Sequence, residues 1–152
     1  METTTIKEVS LKLIESAEAA YLTNIGSDGF PNTRAMLNLR NTTQYPGLRD
    51  FFSKLDPFQL YFSTNTASRK VTQMKENPNV SVYYCQPKSF HGVMLGGKIE
   101  IVEDDNIKQA LWQPGWEIYY PKGFNDPDHT VLRMSPLFLR GWYHLQRLEL
   151  TF

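Results

Sequence analysis

The chain has 152 residues, 16 Lys+Arg against 16 Asp+Glu, 41% hydrophobic and 13% aromatic residues, and a formal net charge of zero. That length predicts one domain, residues 1–152, large enough to bury a real core, and the apolar content excludes a disordered chain. Balanced charge argues against a dedicated nucleic-acid binder, and the single cysteine, Cys85, excludes an intrachain disulfide or a multi-cysteine metal centre. No apolar run approaches the roughly 18 residues of a membrane span. The N-terminal stretch, with four acids and two lysines, does not read as a signal or transit peptide. A cytoplasmic protein with no nucleic-acid or membrane partner is the expectation.

In chain order, Thr5 and Glu8 have the spacing of a capping box. Ile6, Val9, Leu13 and Ala17 then share a face, predicting a helix to about Ala19. AYLTNIG reads as a strand, stopped by the turn residues Ser27, Asp28 and Gly29, and NTRAMLNLR as its hairpin partner. Asn41 to Asp56 is polar and broken by Pro46-Gly47, with a short helix possible at LRDFFSKL. FQLYFST is an aromatic-rich strand. NTASRKVTQMKENP predicts a helix capped by Asn65 or Thr66, with Ala67, Val71 and Met74 on one face and a stop at Asn77-Pro78.

NVSVYYCQ and VMLGGKIEIVE are strands, with a bulge or close backbone approach at Gly96-Gly97. A helix follows from about Asp105 to Trp112, capped by Asp104 or Asp105. An aromatic segment then leads to three final strands, TVLRMS, FLRGWYHL and RLELTF. Many antiparallel strands with a few helices between them predict a barrel-like α+β domain.

The segment STNTASRKVTQMKENP carries the clearest chemistry. Strand, polar turn, then helix gathers hydroxyls and the helix's free N–H groups at one place, which suits an anion. Ser68 adds a hydroxyl, and Arg69 and Lys70 add two charges in the first turn. Cations there cost the helix roughly 0.3–1 kcal/mol each. A bound phosphate reverses that sign, because charge-assisted hydrogen bonds contribute about 1.5–3 kcal/mol. Arg34, in Arg34-Ala35-Met36, sits on a strand predicted to pack beside this turn and can fork onto a phosphate or polarise a ring carbonyl. A solvated cap with surface cations is the plain alternative for each.

The ordered segments DGFPNTRAM, LYFSTNTASRKVTQMKENPNVSVYY, GGKIEIVEDD and GWEIYYPKGFNDPDHTVLRMSP together resemble the FMN-binding split-barrel group related to pyridoxamine phosphate oxidase, in its general-stress-protein-like branch. The resemblance implies a six-stranded antiparallel split β-barrel, α+β in class, forming a homodimer with FMN in clefts at the subunit interface. By the same resemblance, Arg34, Ala35, Met36, Leu37 and Asn38 would run along the isoalloxazine and ribityl chain. Ser63 and Thr64 would line the strand end, and Ser68, Arg69 and Lys70 would hold the phosphate. An oxidoreductase with a small-molecule substrate or electron donor is the implied function. The alternatives are a non-catalytic flavin-binding or redox-sensing stress protein, and a split barrel that binds haem or a deazaflavin.

Departures from the oxidase pattern are specific. Leu39 stands where the oxidase has a phosphate-binding lysine, and Gly92 falls near its ring-directed glutamine. LRGWYHLQRLELTF has no Arg-x-His-Asp-Arg segment, and the Arg40–Asp56 link is longer than usual. Pyridoxamine phosphate is therefore not the implied substrate.

Trp112, Trp116, Tyr119, Tyr120, Phe124, Trp142 and Tyr143 suit packing, an interface or a lid over a flat ring. The resemblance brings Trp116 or Trp142 near the partner subunit's flavin. His91, His129 and His144 lack metal-ligand spacing and read as structural or surface residues. Cys85 reads as a small buried hydrophobe. No motif ties a serine or cysteine to a histidine, so no catalytic residue is assigned.

Overall fold

Ile6, Ser10, Leu13 and Ile14 recur at three- and four-residue intervals, and that stripe is the buried face of helix α1 (Thr3–Ser16) in the computed structural model, which describes residues 1–152. The helix starts ahead of the capping-box pattern. Glu2 stands at the N-cap without a side-chain bond, and Thr5 lies inside the first turn. Burial of Ile6, whose N–H reaches the Glu2 carbonyl at 2.9 Å, sets the start instead. The helix also stops before Ala19, because Ala17 is already extended and Ala19 opens the first strand.

Strands β1 (Ala19–Ile25) and β2 (Pro31–Leu37) form the hairpin, in register from Ala19 opposite Leu37 to Ile25 opposite Pro31. The Gly26 N–H closes the turn on the Phe30 carbonyl at 2.8 Å, and Gly29 takes φ +81°, which favours glycine. The second strand ends three residues before the predicted Arg40, because Asn38 turns inward to serve α1. Its Nδ2 donates to the Ile14 and Ala17 carbonyls at 2.7 and 2.9 Å. These carbonyls at the helix end would otherwise be orphaned. Asn41 Nδ2 adds a third bond, to Ala17.

The long link holds a 3-10 turn at Pro46–Leu48 and helix α2 (Arg49–Ser53). Then come β3 (Leu60–Asn65), α3 (Arg69–Glu76), β4 (Asn79–Gln86), β5 (His91–Val102), α4 (Asp105–Leu111), β6 (His129–Tyr143) and β7 (Gln146–Thr151). Every pairing is antiparallel, in the order β2-β1-β4-β5-β6-β3, with β7 on the second half of β6. β3 takes the first half of β6, and no ladder joins β2 to β3. The barrel is split there, and its sheet has seven strands rather than the expected six.

The two strands predicted at 130–135 and 138–145 are one, β6. Pro136 does not end it, because the register shifts between Gly96 and Gly97. These residues face Phe138 and Pro136, and Leu137 is left unpaired. A bulge is where a sheet tolerates proline.

Leu60 and Phe62 point into the barrel with Leu22, Val82, Leu95 and Leu132. Truncating one of these, such as Leu95→Ala, costs about 2–5 kcal/mol. Tyr61 points the other way, into a second cluster with Leu39, Leu48, Phe52, Leu111 and Trp116. The link and the α4 region therefore wrap one outer face of the barrel. Cys85 is half-buried rather than buried, because it lies on the less covered face of β4.

Candidate functional site

The turn between β3 and α3 is held from across the sheet. Asp128 Oδ1 accepts the Ala67 N–H at 3.0 Å, Oδ2 accepts from Asn65 Nδ2 at 2.6 Å, and the Asp128 carbonyl accepts the Thr66 N–H at 2.8 Å. The Thr66 and Thr130 hydroxyls meet at 2.6 Å. The Asn65 hydrogen bond and then the Ala67 N–H hold the Asp128 carboxyl below the usual carboxylate range. Asn65 and Thr66 are thus engaged with the start of β6. Ser68 is the residue at the N-cap of α3, and its side chain caps nothing. Its hydroxyl oxygen is buried and has no hydrogen-bond partner.

Beside this free helix end, Arg34 of β2 and Arg69 and Lys70 of α3 line one cleft of about 550 Å³, with Ser27, Asn32 and Gln73. None of the three cations has a carboxylate within ion-pair distance; the protein's two ion pairs lie elsewhere. Asp28 shares the cleft, but its Oδ1 accepts the Phe30 N–H. Burial, and then the neighbouring Arg34 charge, hold the Lys70 ammonium below its ordinary value. Arg34, also lowered by burial, spends one N–H on the Leu22 carbonyl at 3.2 Å. A cleft with three cations against one carboxylate, next to an orphaned buried hydroxyl at a helix N-terminus, fits a phosphate group.

The other candidates, three on β2 and Asn38 just after it, do not share one side-chain environment. Ala35 and Leu37 are exposed, Met36 is buried in the barrel core, and Asn38 is committed to α1. β2 pairs only with β1, so its second edge has no strand beside it. Thr64 is buried on β3.

Ser63 has a partner that no motif announced. Its hydroxyl lies 2.8 Å from His129 Nε2, across 66 residues of sequence. His129 is 2% exposed, and Trp112, Trp116 and Tyr120 pack on its ring at 4.6–6.3 Å between centroids. Nδ1 lies 2.8 Å from the Phe124 carbonyl. Burial is the largest influence and pulls the His129 pKa down. Trp116 is thus buried in this aromatic group, whereas Trp142 is 43% exposed on β6. Asp128 and His129 were legible only as residues of a loop, since nothing local links them to the β3 turn.

Comparison with known proteins places these features in a family. A sequence model described as pyridoxamine 5'-phosphate oxidase matches residues 6–143. A crystal structure of a Clostridium acetobutylicum protein related to general stress protein 26 of Bacillus subtilis (pyridoxinephosphate oxidase family) superimposes with a TM-score of 0.78 at 31% identity. That match covers 100% of this chain and 97% of that one. General stress protein 26 of Bacillus subtilis is 26% identical over 88 residues, 56% of this chain and 62% of that protein. Cysteine–tRNA ligase of Desulforudis audaxviator is 26% identical over 74 residues, 49% of this chain but only 16% of the ligase. The chain therefore spans less than two thirds of these curated relatives. A heme binding protein from Mycobacterium smegmatis shares the fold alone, with a TM-score of 0.67 at 14% identity. With the split antiparallel sheet and nearly the whole length matched, the chain belongs to the pyridoxamine 5'-phosphate oxidase family, in the branch related to general stress protein 26.

Proposed function

We propose that this protein is an FMN-binding flavoprotein of the oxidoreductase type, acting on a small-molecule substrate or electron donor. One observation carries the reading: Arg34, Arg69 and Lys70 share a cleft and none is in an ion pair, and Ser68, the N-cap residue next to Arg69, has a buried, unpartnered hydroxyl. Ser68, Arg69 and Lys70 would hold the phosphate with Arg34 at its side, and the open edge of β2 would take the flat ring. The fit is chemical. Each new charge-assisted bond contributes about 1.5–3 kcal/mol, and the anion relieves the repulsion between Lys70 and Arg34.

Bound there, FMN would supply hydride or electron chemistry. The chain would bind it, orient it through β2 and add the positive charge of Arg34, which favours a reduced, anionic ring. No side chain in the cleft needs to act as an acid or base. A homodimer with the flavin at the subunit interface belongs to the same reading. Tyr21 and Tyr83, register partners on one face, are 39% and 43% exposed, and Leu37 on that face is 45% exposed. An apolar patch of this kind on a soluble domain marks a partner surface.

The test is the visible spectrum of the purified protein after FMN addition and desalting. Flavin bands retained by the wild type, with at least about tenfold weaker affinity in Arg69→Ala/Lys70→Ala, support the reading. An unchanged affinity in the folded double variant overturns it, and so does a single Soret band, which would assign the protein to haem. Reduction by NADH or NADPH, with a screen of acceptors, then separates an enzyme from a flavin-binding stress protein without turnover.

A further inference from the structure

A second cleft, of about 370 Å³, opens between α1 and the 40–58 link, and none of its lining residues belongs to the positive cleft. Half of its lining is apolar, with Leu39, Leu48 and Phe52 buried. Arg40 also lines it and is 7% exposed. Nε donates to the Gln59 carbonyl at 3.1 Å, and Nη2 donates to the Asp56 carbonyl at 2.8 Å and to Gln59. The guanidinium lies 4.2 Å over the Phe52 ring. Nη1, with two N–H groups, has no partner in the protein and keeps some access to solvent.

No carboxylate lies within ion-pair distance of this buried cation. Glu15 and Asp56 act on it only at longer range, and one Asp56 oxygen accepts the Phe58 N–H. A buried charge is ordinarily paired, since leaving it unpaired is costly. At the mouth stand Arg49, whose Nη2 reaches the Thr42 carbonyl at 3.3 Å, and the exposed carboxylate of Glu15.

We propose that this cleft binds a small monocarboxylate with an apolar body, its carboxylate on Arg40 Nη1 and its body against Leu39, Leu48 and Phe52. Planar carboxylate and guanidinium are matched in geometry, and an aromatic or short aliphatic body fills an apolar slot of this volume. Arg40 offers one buried guanidinium fork, which complements one carboxylate, while the exposed Glu15 and Arg49 at the mouth offset each other in charge. The site is built from α1 and the 40–58 link and stands apart from the flavin reading.

Benzoate is the probe and benzamide its neutral isostere, titrated calorimetrically into the whole protein. Benzoate is expected to bind with a dissociation constant on the order of 0.1–1 mM, and benzamide at least about tenfold more weakly. Arg40→Gln should abolish the difference. Because Arg40 also holds the Asp56 and Gln59 carbonyls, a second variant, Leu55→Trp, fills the cleft from its half-exposed wall and should abolish benzoate binding in a protein with an unchanged circular dichroism spectrum. Arg69→Ala/Lys70→Ala should bind benzoate as the wild type does. The proposal is overturned by equal binding of benzoate and benzamide, by no binding at about 10 mM benzoate, by retained binding in folded Leu55→Trp, or by loss of binding in the Arg69/Lys70 variant. The last result would move the anion to the positive cleft.

Discussion

The Ser63 hydroxyl donates its proton to His129 Nε2 at 2.8 Å, and the direction of that bond follows from the other side of the ring. Nδ1 lies 2.8 Å from the Phe124 carbonyl, which only accepts, so Nδ1 carries the hydrogen and the neutral Nε2 is left to accept. Desolvation by the aromatic rings outweighs the carbonyl bond and the nearby Asp126 charge, which favour protonation, and Lys108 adds to the lowering.

This fixes a pH dependence. A histidine whose folded pKa is depressed binds its proton more readily in the unfolded chain, so stability rises with pH. Its contribution is complete above the ordinary histidine pKa of about 6.5 and is lost as pH falls toward the depressed folded value. Chemical denaturation midpoints at pH 7.5 and 5.0 should therefore differ in the wild type, and the difference should shrink in His129→Gln. Asp126 and Asp128, whose pKa values lie below the usual carboxylate range, titrate in a more acidic window and leave this one clear. An identical difference in both proteins would place the pH sensitivity elsewhere.

Asp128 pulls the positive cleft in two directions, and the geometry says which wins. Its charge opposes an anion at α3, yet its two oxygens hold Asn65 and Ala67 in the turn that presents Ser68. A turn ordered before binding does not have to be ordered during it. Asp128→Ala should thus weaken FMN binding by about tenfold despite removing a negative charge. Asp128→Asn, which keeps the shape and can still accept one bond, should lose less. Tighter binding in Asp128→Ala, measured by flavin fluorescence quenching, would mean that charge rather than turn geometry governs the site.

What the sequence made legible is what local pattern can carry. Alternation marked the strands, the Gly96-Gly97 pair marked the bulge, and Asp104 was readable as the cap whose Oδ1 accepts the Asn106 N–H at 2.8 Å. The cations in the first turn of α3 were readable too, and Arg69 and Lys70 line one cleft with Arg34. Continuity of β6 through Pro136 was not, because it depends on a register shift in another strand. Nor were Ser63 with His129, or Ala67 with Asp128, since each pair is separated by more than 60 residues and meets only when β3 lies along β6. The unpaired Nη1 of Arg40 is likewise a product of tertiary packing.

Asn38 separates stability from binding. Its side chain is 1% exposed and spends both N–H groups on α1 carbonyls, with its Oδ1 accepting the Arg40 N–H at 3.2 Å. Asn38→Ala leaves the Ile14 carbonyl without a donor and the Arg40 N–H without an acceptor, while Asn41 still serves Ala17, and a buried unsatisfied group costs about 1–3 kcal/mol. Thermal unfolding should register that loss. FMN affinity at a temperature where the variant is folded should change by less than about threefold, if β2 offers the ring its backbone rather than this side chain. A large affinity loss without destabilisation would reverse the assignment.

Lys70 makes anion binding itself depend on pH. In the free protein, burial and then Arg34 hold its pKa down. A bound phosphate favours the charged ammonium and raises that pKa, so the complex holds more protons than the free protein above the depressed value. Linkage then requires affinity to fall as pH rises, by at most about tenfold per pH unit for one proton. The flavin phosphate contributes no such slope above neutrality, since its second ionisation lies near pH 6. The FMN dissociation constant should therefore climb in the wild type as pH rises toward the ordinary lysine value of about 10.4. Lys70→Arg keeps its charge throughout that range, and should flatten the profile. A wild-type slope that survives in Lys70→Arg would show that another group takes up the proton.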